Sequence, residues 1–282
     1  MTAARAVRPH GERPTVRMTR RELVQGLASG AVVAFGGAAV GGCEQNPALG
    51  REQLVLVSDG ALAQLSAGVW HEARATTPET RDRAARARVR RAGGRIVEAA
   101  HRFFPRRGLD SYDWEFVAFE DEQVNAWVLP GGKVGFYTGI LDIMDNDDQV
   151  ATVMGHEVGH VVGRHAAERY SQQVLAQGMM VAANVALASS DSRHSREIAA
   201  VLGAGVTFGI VLPYSRRHEY EADRLGVDFM LGARYAAPEA LRFWEAMAAR
   251  SARAPLEFMS THPSDANRIA AMHRHIAVRT AA

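Results

Sequence analysis

The sequence predicts an α+β protein that is mostly helical, with a small β-sheet laid over one long helix. Three observations carry that prediction. Apolar residues recur at helical spacing through most of the 282-residue chain. One region, between Tyr112 and Tyr137, alternates instead and is rich in aromatic residues. A composition of 47% apolar and 23% charged residues belongs to a globular protein with a real core.

The first helix is expected from Arg51 to about Trp70, with Leu54, Val57, Leu62 and Leu65 on its apolar face. Thr76-Thr77-Pro78-Glu79 opens a second, with proline near the first turn, running to about Phe104. Its arginines 81, 83, 86, 88, 90, 91 and 95 read as a solvated face in preference to a patch for anionic lipid headgroups. Tyr112 to Phe119 reads as a strand. Asn125 to Leu129, the turn Pro130-Gly131-Gly132, and Lys133 to Tyr137 read as a hairpin.

A long helix is expected from about Asp148 to Gln173, capped by the acidic cluster Asp145–Asp148 at its positive end. Two apolar helices, about 174–189 and 198–212, follow on either side of a polar break; each is short for a membrane span. They read first as core and second as a hairpin near a membrane surface. Further helices are expected from Pro213 to Leu231, Pro238 to Ala249, and Asp265 to Val278. There is no internal repeat and no low-complexity linker.

The first 43 residues read as an address, and 44–282 as one catalytic domain. Thr19-Arg20-Arg21-Glu22-Leu23-Val24 has the form of a twin-arginine export signal. The weakly apolar stretch Leu27–Val40 is too short to span a bilayer and suits a signal peptide. Val40-Gly41-Gly42-Cys43 resembles a lipobox, with Cys43 as the lipidation site. Residues 1–17 read as an upstream extension, which makes Met18 a candidate start. Cys43 is the only cysteine, so no internal disulfide forms. Without residues 1–42 the chain holds 27 basic and 29 acidic residues, which leaves no overall basic field for nucleic acid. Lys133 is the only lysine, a bias of coding rather than of function.

The strongest chemical signal is His156-Glu157-Val158-Gly159-His160. Four residues carry a helix about 40° past one turn, so both imidazoles share a face and can hold one Zn²⁺. Glu157 beside them suits a general base for a metal-bound water. A catalytic zinc needs a third protein ligand, and His165, His194, His218, Glu219 and Glu221 are the candidates. In a continuous helix His165 falls on the opposite face from His156. Glu219 and Asp223, four apart on one face, fit better: Glu219 to ligate, and Asp223 to accept the free N–H of a ligating histidine. Glu221 should point elsewhere.

The stretches NAWVLPGGKVGFYTGIL, VMGHEVGHVVGRHAAER, LPYSRRHEYEADRLG and STHPSDANRI resemble metallopeptidase family forty-eight. That is the gluzincin family of the CaaX prenyl proteases, the HtpX and Oma-type proteases and the periplasmic BepA/LoiP-like lipoproteins. The lipobox places the chain nearest the last branch. The resemblance implies one zinc per chain on His156, His160 and Glu219, with Glu157 as base and Asp223 as the partner of a ligating histidine. It also implies that His262 can occupy the open metal position and hold the enzyme latent, with Arg268 supporting the site. Asn125, Ala126, Trp127 and Val128 would form an edge strand to which an extended substrate adds. The implied substrates are misfolded or misassembled envelope proteins, and the implied partners include the outer-membrane assembly machinery. BepA-like members also carry a repeat domain after the protease, which is not expected within these 282 residues. Glu44, in place of the aspartate that retains lipoproteins at the inner membrane, favours the outer membrane, with the protein on its periplasmic side. Two rivals stand beside this reading: an assembly factor that keeps the metal site for structure alone, and a membrane-embedded protease with 174–189 and 198–212 as spans.

Overall fold

The computed structural model describes residues 42–188, 212–253, 255–264 and 266–281, with the side chains of 179–188 and 212–215 left aside. It opens on a hairpin, strands β1 (Cys43–Asn46) and β2 (Arg51–Leu54), paired Cys43 to Leu54 and Asn46 to Arg51. The sequence assigns Arg51–Leu54 to the first helix and gives Cys43–Asn46 no element. The helix α1 (Asp59–Thr76) begins only at Ser58, whose hydroxyl accepts from the Ala61 amide. The reason for the difference is the polar partnering of the hairpin. Asn46 and Gln53 are buried, and both donate to the carbonyl of Gly163.

Helix α2 (Arg83–Phe103) starts at Asp82, which accepts from the Ala84 amide, and not at Pro78. Glu79 pairs instead as an isolated bridge with Phe119. The arginine face is only partly solvated. Arg88 and Arg91 both grip Asp147, Arg90 grips Glu79, and Arg95 lies over the Tyr235 ring. This face therefore ties α2 to the next long helix.

Two single turns of 3-10 helix, Pro105–Arg107 and Leu109–Ser111, delay the expected strand. Strands β3 (Glu115–Phe119), β4 (Ala126–Leu129) and β5 (Lys133–Tyr137) form one sheet in the order β3-β5-β4. β4 and β5 make the expected antiparallel hairpin, with Val128 opposite Val134, and β3 runs parallel to β5. The Tyr137 amide donates to the Asn125 carbonyl. By the alternation of an antiparallel ladder, Trp127 and Leu129 then bond to β5, while the backbone groups of Ala126 and Val128 face outward. Among the described residues no strand pairs with that outer edge.

After the short α3 (Thr138–Leu141), helix α4 (Asp147–Val162) is capped by Asn146, which accepts from the Gln149 amide, with Asp147 and Asp148 in its first turn. It does not run on to Gln173. Gly163 ends it, Arg164 takes a left-handed φ of 54°, and α5 (His165–Ala188) begins in a new direction. Tyr170, Val174 and Leu175 on α5 are exposed, so the start of the first apolar segment is not core. No helix among the described residues is long and apolar enough to cross a membrane. The second apolar stretch, 198–212, lies outside the described residues except for Leu212.

Helices α6 (Leu212–Gly232), α7 (Pro238–Ser251), α8 (Glu257–Thr261) and α9 (Ala266–Ala281) complete the chain. The short α8 is absent from the sequence reading. The core gathers Ile96, Leu109, Phe136, Ile140, Met154, Leu225, Phe229, Phe243 and Trp244 between α2, the sheet, α4, α6 and α7.

A close helix–helix contact places the chemistry. Gly155 and Gly159 on α4 face Ala222 and Gly226 on α6. A Cβ on Gly155 would meet the Gly226 carbonyl oxygen at 2.9 Å, and one on Gly159 would meet that of Ala222 at 2.8 Å. The two backbones touch because nothing larger stands between them. Each glycine neighbours a histidine of the motif, so this contact brings the carboxylates of α6 against the imidazoles of α4.

Candidate metal centre

His156, Glu157 and His160 project from the middle of α4 and are all buried. Glu219 and Asp223 meet them from α6, His262 from the residue that ends α8, and Arg268 from α9. His156 Nε2 is 3.1 Å from His160 Nε2 and 3.2 Å from Glu219 Oε2. His160 Nε2 is 3.4 Å from Glu219 Oε1. His262 Nδ1 lies 3.0 Å from His156 Nε2 and 3.2 Å from Glu219 Oε2. The four donor atoms of His156, His160, Glu219 and His262 all lie within 4.8 Å of one another.

These residues fit a zinc ion. Ligands at about 2.0–2.1 Å in a tetrahedron stand roughly 3.3 Å apart, close to the separations above. The chemistry of the donors agrees. His156 Nδ1 is 3.0 Å from Asp223 Oδ1, so its proton sits there and its Nε2 lone pair faces the cluster. Glu157 Oε1 is buried and makes no hydrogen bond; His262 Nε2 lies 3.5 Å from it. A buried carboxylate oxygen without a donor is uncommon, and here it leaves an acceptor aimed at whatever enters the centre.

Electrostatics follow from crowding charges in a dry place. Burial alone would lower the pKa of His156, but hydrogen bonds to Asp223 and Glu219 outweigh it and hold it near 9 in the metal-free site, so a metal on Nε2 would take the place of a proton. Burial pushes His160 well down, against the pull of Glu219. The carboxyl of Glu219 is held well below its usual range, because His160, His156 and His262 overcome the cost of burial. Glu157 goes the other way: burial raises it, and His262 offsets only part of the rise. Asp223 is kept low, against its burial, by Arg268. Arg268 donates Nη2 to Asp223 Oδ1 at 2.9 Å, reaches Glu219 Oε2 at 3.1 Å, and stacks 4.2 Å above Trp244.

Every expected site residue in the protein core is therefore brought together: His156, Glu157, His160, Glu219, Asp223, His262 and Arg268. Asn125, Ala126, Trp127 and Val128 line the rim of the same cleft, a cavity of about 220 Å³ that also reaches Glu157, His160, Thr261 and His262. Their side chains differ in role. Asn125 accepts from the Ala126 amide, and the Trp127 ring stacks on Phe119, away from the donors. Cys43 is exposed in β1, apart from this cleft.

Three residues weighed as ligands, His165, His218 and Glu221, and one with no sequence signal, Trp244, surround the donors instead of joining them. His165 is placed on the far side of a continuous helix, but the break at Arg164 returns it behind His160, with the two Nδ1 atoms 2.9 Å apart. A glycine before it was the available signal: a Cβ at position 163 would meet the His165 ring at 2.4 Å. Glu221 does point away from the donors, as expected, and contacts His165 Nε2 at 3.2 Å. His218 stacks on His165 with ring centroids 4.4 Å apart. Trp244, 5.5 Å from the His156 ring, has no signal in its spacing at all.

A sequence model of Peptidase family M48 matches residues 83–276, more than half of the chain. Among curated proteins, the mitochondrial metalloendopeptidase OMA1 of Schizosaccharomyces pombe is 37% identical over 164 residues, which cover 57% of this chain and 46% of that protein. The OMA1 of Saccharomyces cerevisiae is 35% identical over 196 residues, 64% of this chain and 52% of that one. The beta-barrel assembly-enhancing protease of Escherichia coli K12 is 29% identical over 162 residues, 56% of this chain and 33% of that one. The chain thus spans about half the length, or less, of these relatives.

Proposed function

Since the chain belongs to peptidase family M48, a family of zinc metallopeptidases, we propose that it is a zinc endopeptidase of the bacterial cell envelope that hydrolyses misfolded or misassembled envelope proteins. One observation carries the catalytic part. His156, His160 and Glu219 converge with Glu157 beside them, under the free edge of β4.

His156, His160 and Glu219 would hold the zinc, which would supply Lewis-acid polarisation of the scissile carbonyl and of a water. Glu157 takes the proton of that water and passes it to the leaving amine. Asp223, braced by Arg268, keeps the His156 proton on Nδ1. The outward backbone groups of Ala126 and Val128 receive an extended substrate as an added strand. That mode reads main chain more than side chains, which suits broad specificity. Val128→Pro removes one outward N–H and leaves the ladder to β5 intact. Its kcat/KM for a casein-derived peptide is expected to fall about tenfold, the worth of one hydrogen bond with its buried partner. Full activity would show that substrate docks elsewhere.

His262 fills the fourth corner of the donor set, where water and substrate must enter. It ends a short helix before Pro263, so it can swing clear. His262→Ala is expected to raise the rate of casein cleavage or self-cleavage several-fold; an unchanged or lower rate would count against a latch.

The envelope location draws on Arg20-Arg21 and on the lipobox ending at Cys43, of which the residues before 42 lie outside the described part. Exposure of Cys43 at the start of β1 is compatible with a lipid there. The relative from Escherichia coli favours outer-membrane assembly as the setting, whereas the OMA1 relatives are mitochondrial. The test is cleavage of casein by the full chain carrying Cys43→Ser, together with fractionation of cells that make the natural chain. Recovery in the outer membrane with a diacylglyceryl mass on Cys43 supports the whole reading. An unmodified chain in the cytoplasm would remove the location and leave the protease.

A further inference from the structure

We propose that His165 is a positioning residue for the zinc site, the middle of a relay that runs from His160 through His165 to the Glu221 carboxylate and Arg51. It rests on the reading of His160 as a metal ligand. His160 Nε2 faces the donor cluster, so its proton belongs on Nδ1. That atom is 2.9 Å from His165 Nδ1, and a hydrogen bond between two imidazoles needs one N–H and one lone pair. His165 therefore accepts at Nδ1 and carries its own proton on Nε2. The Nε2 atom in turn lies 3.2 Å from Glu221 Oε2, which can only accept. Each link fixes the tautomer of the next.

The far end is anchored twice. Arg51 Nε and Nη2 donate to the two oxygens of Glu221 at 2.6 and 2.8 Å. The same guanidinium donates to Glu168 at 2.9 and 2.8 Å, and Glu168 also accepts from Gln53 at 2.7 Å. His165 itself is wholly buried. Glu168, in α5, holds His218 at 3.0 Å, and the His218 ring stacks on that of His165. The ring of His165 is thus held at its edge by hydrogen bonds and on one face by His218.

The two zinc-binding histidines are supported differently for a physical reason. His156 leans on Asp223 directly, and that carboxylate needs Arg268 to balance it. A second carboxylate against His160 would add charge to a centre that already contains Glu157 and Glu219. An imidazole interposed there supplies the acceptor and sets the anion one ring further out. Arg51 and Gln53 lie in the N-terminal hairpin, before the region matched by the family model. The hairpin that begins at Cys43 is in this way mechanically part of the metal centre.

The two neutral amides separate the atoms of His165. The Oδ1 of asparagine hangs from Cγ as Nδ1 does, while the amide of glutamine reaches the position of Nε2. With the full chain carrying Cys43→Ser, zinc affinity is measured against a chelating dye, and the visible spectrum is recorded after cobalt substitution. His165→Asn is expected to stay within about threefold of the parent. His165→Gln should bind zinc about 10–100-fold more weakly and shift the cobalt bands. Equal losses in both variants, or no loss in either, would overturn the relay, since a merely space-filling histidine cannot tell the two amides apart. Should a His165 variant fail to fold, Glu221→Gln carries the test: affinity falls several-fold if the anion matters, and no change overturns the proposal. A parent chain that binds no zinc would overturn both this inference and the reading beneath it. A parent that binds zinc without the contrast overturns this inference alone.

Discussion

Glu157→Gln is expected to lower kcat for peptide hydrolysis by about 10²–10⁴-fold, while the chain keeps one zinc. The side chain is buried, its Oε1 has no hydrogen-bond donor, and burial holds its pKa above the usual carboxylate range. A raised pKa brings a base closer to the working pH and strengthens its pull on a proton. Glutamine has the same shape and can still accept a hydrogen bond, but it cannot take the proton. With His156, His160 and Glu219 as the proposed metal donors, zinc content measured by atomic absorption should not change. Stability should not fall either, since burial outweighs the pull of His262 on this carboxylate and a neutral amide avoids its desolvation cost. Parental activity in the variant would remove Glu157 as the base. Loss of the zinc would make it a ligand.

How much of this was legible in the chain depends on what each feature is made of. The pair His156 and His160 is local: four residues on a helix fix the geometry, so the motif reads directly. Glu219 and Asp223 share one face for the same reason. What joins the two helices is also written in the sequence, as Gly155 and Gly159 against Ala222 and Gly226, but only a backbone contact reveals that they are partners. The helix break at Arg164 is a tertiary effect. Asn46 and Gln53 hold the Gly163 carbonyl, and Arg107 holds that of Val162, so the end of α4 is fixed by segments far off in the chain. Gly163 is the one local signal at 163–165, and a glycine there does not by itself forbid a helix, so the consequence, His165 behind His160, was hidden with the break. The first hairpin failed to show for a related reason. Leu54 and Val57 suit a helical face, and only the buried Gln53 and the Arg51 pairings make a strand the better state.

Arg268→Met is expected to destabilise the metal-free protein by about 3–5 kcal/mol, the usual cost of stripping one partner from a buried ion pair. In a folded unit of this size that is a fall in Tm of roughly 6–20 °C. The guanidinium is buried. It contacts Asp223, Glu219, and the carbonyls of His262 and Pro263, which lie 3.3 and 2.8 Å away. Methionine can replace its packing on Trp244 but none of its charge. Two carboxylates would then face each other with only histidines between them. The sign of the zinc effect follows. A dication restores positive charge beside Glu219, so saturating zinc should raise the Tm of the variant by more than it raises that of the parent. Arg268→Lys is expected to fall between the two, since it keeps the charge but cannot span Asp223 and the loop together. Loss of the carbonyl contacts also frees the segment that carries His262. The metal-loaded variant should therefore show a weaker latch, with casein cleavage at or above the parental rate at temperatures where it is folded. A Tm within 2–3 °C of the parent without metal, a shift of under ~2 kcal/mol at this size, would mean that Asp223 and Glu219 are balanced by the histidines alone.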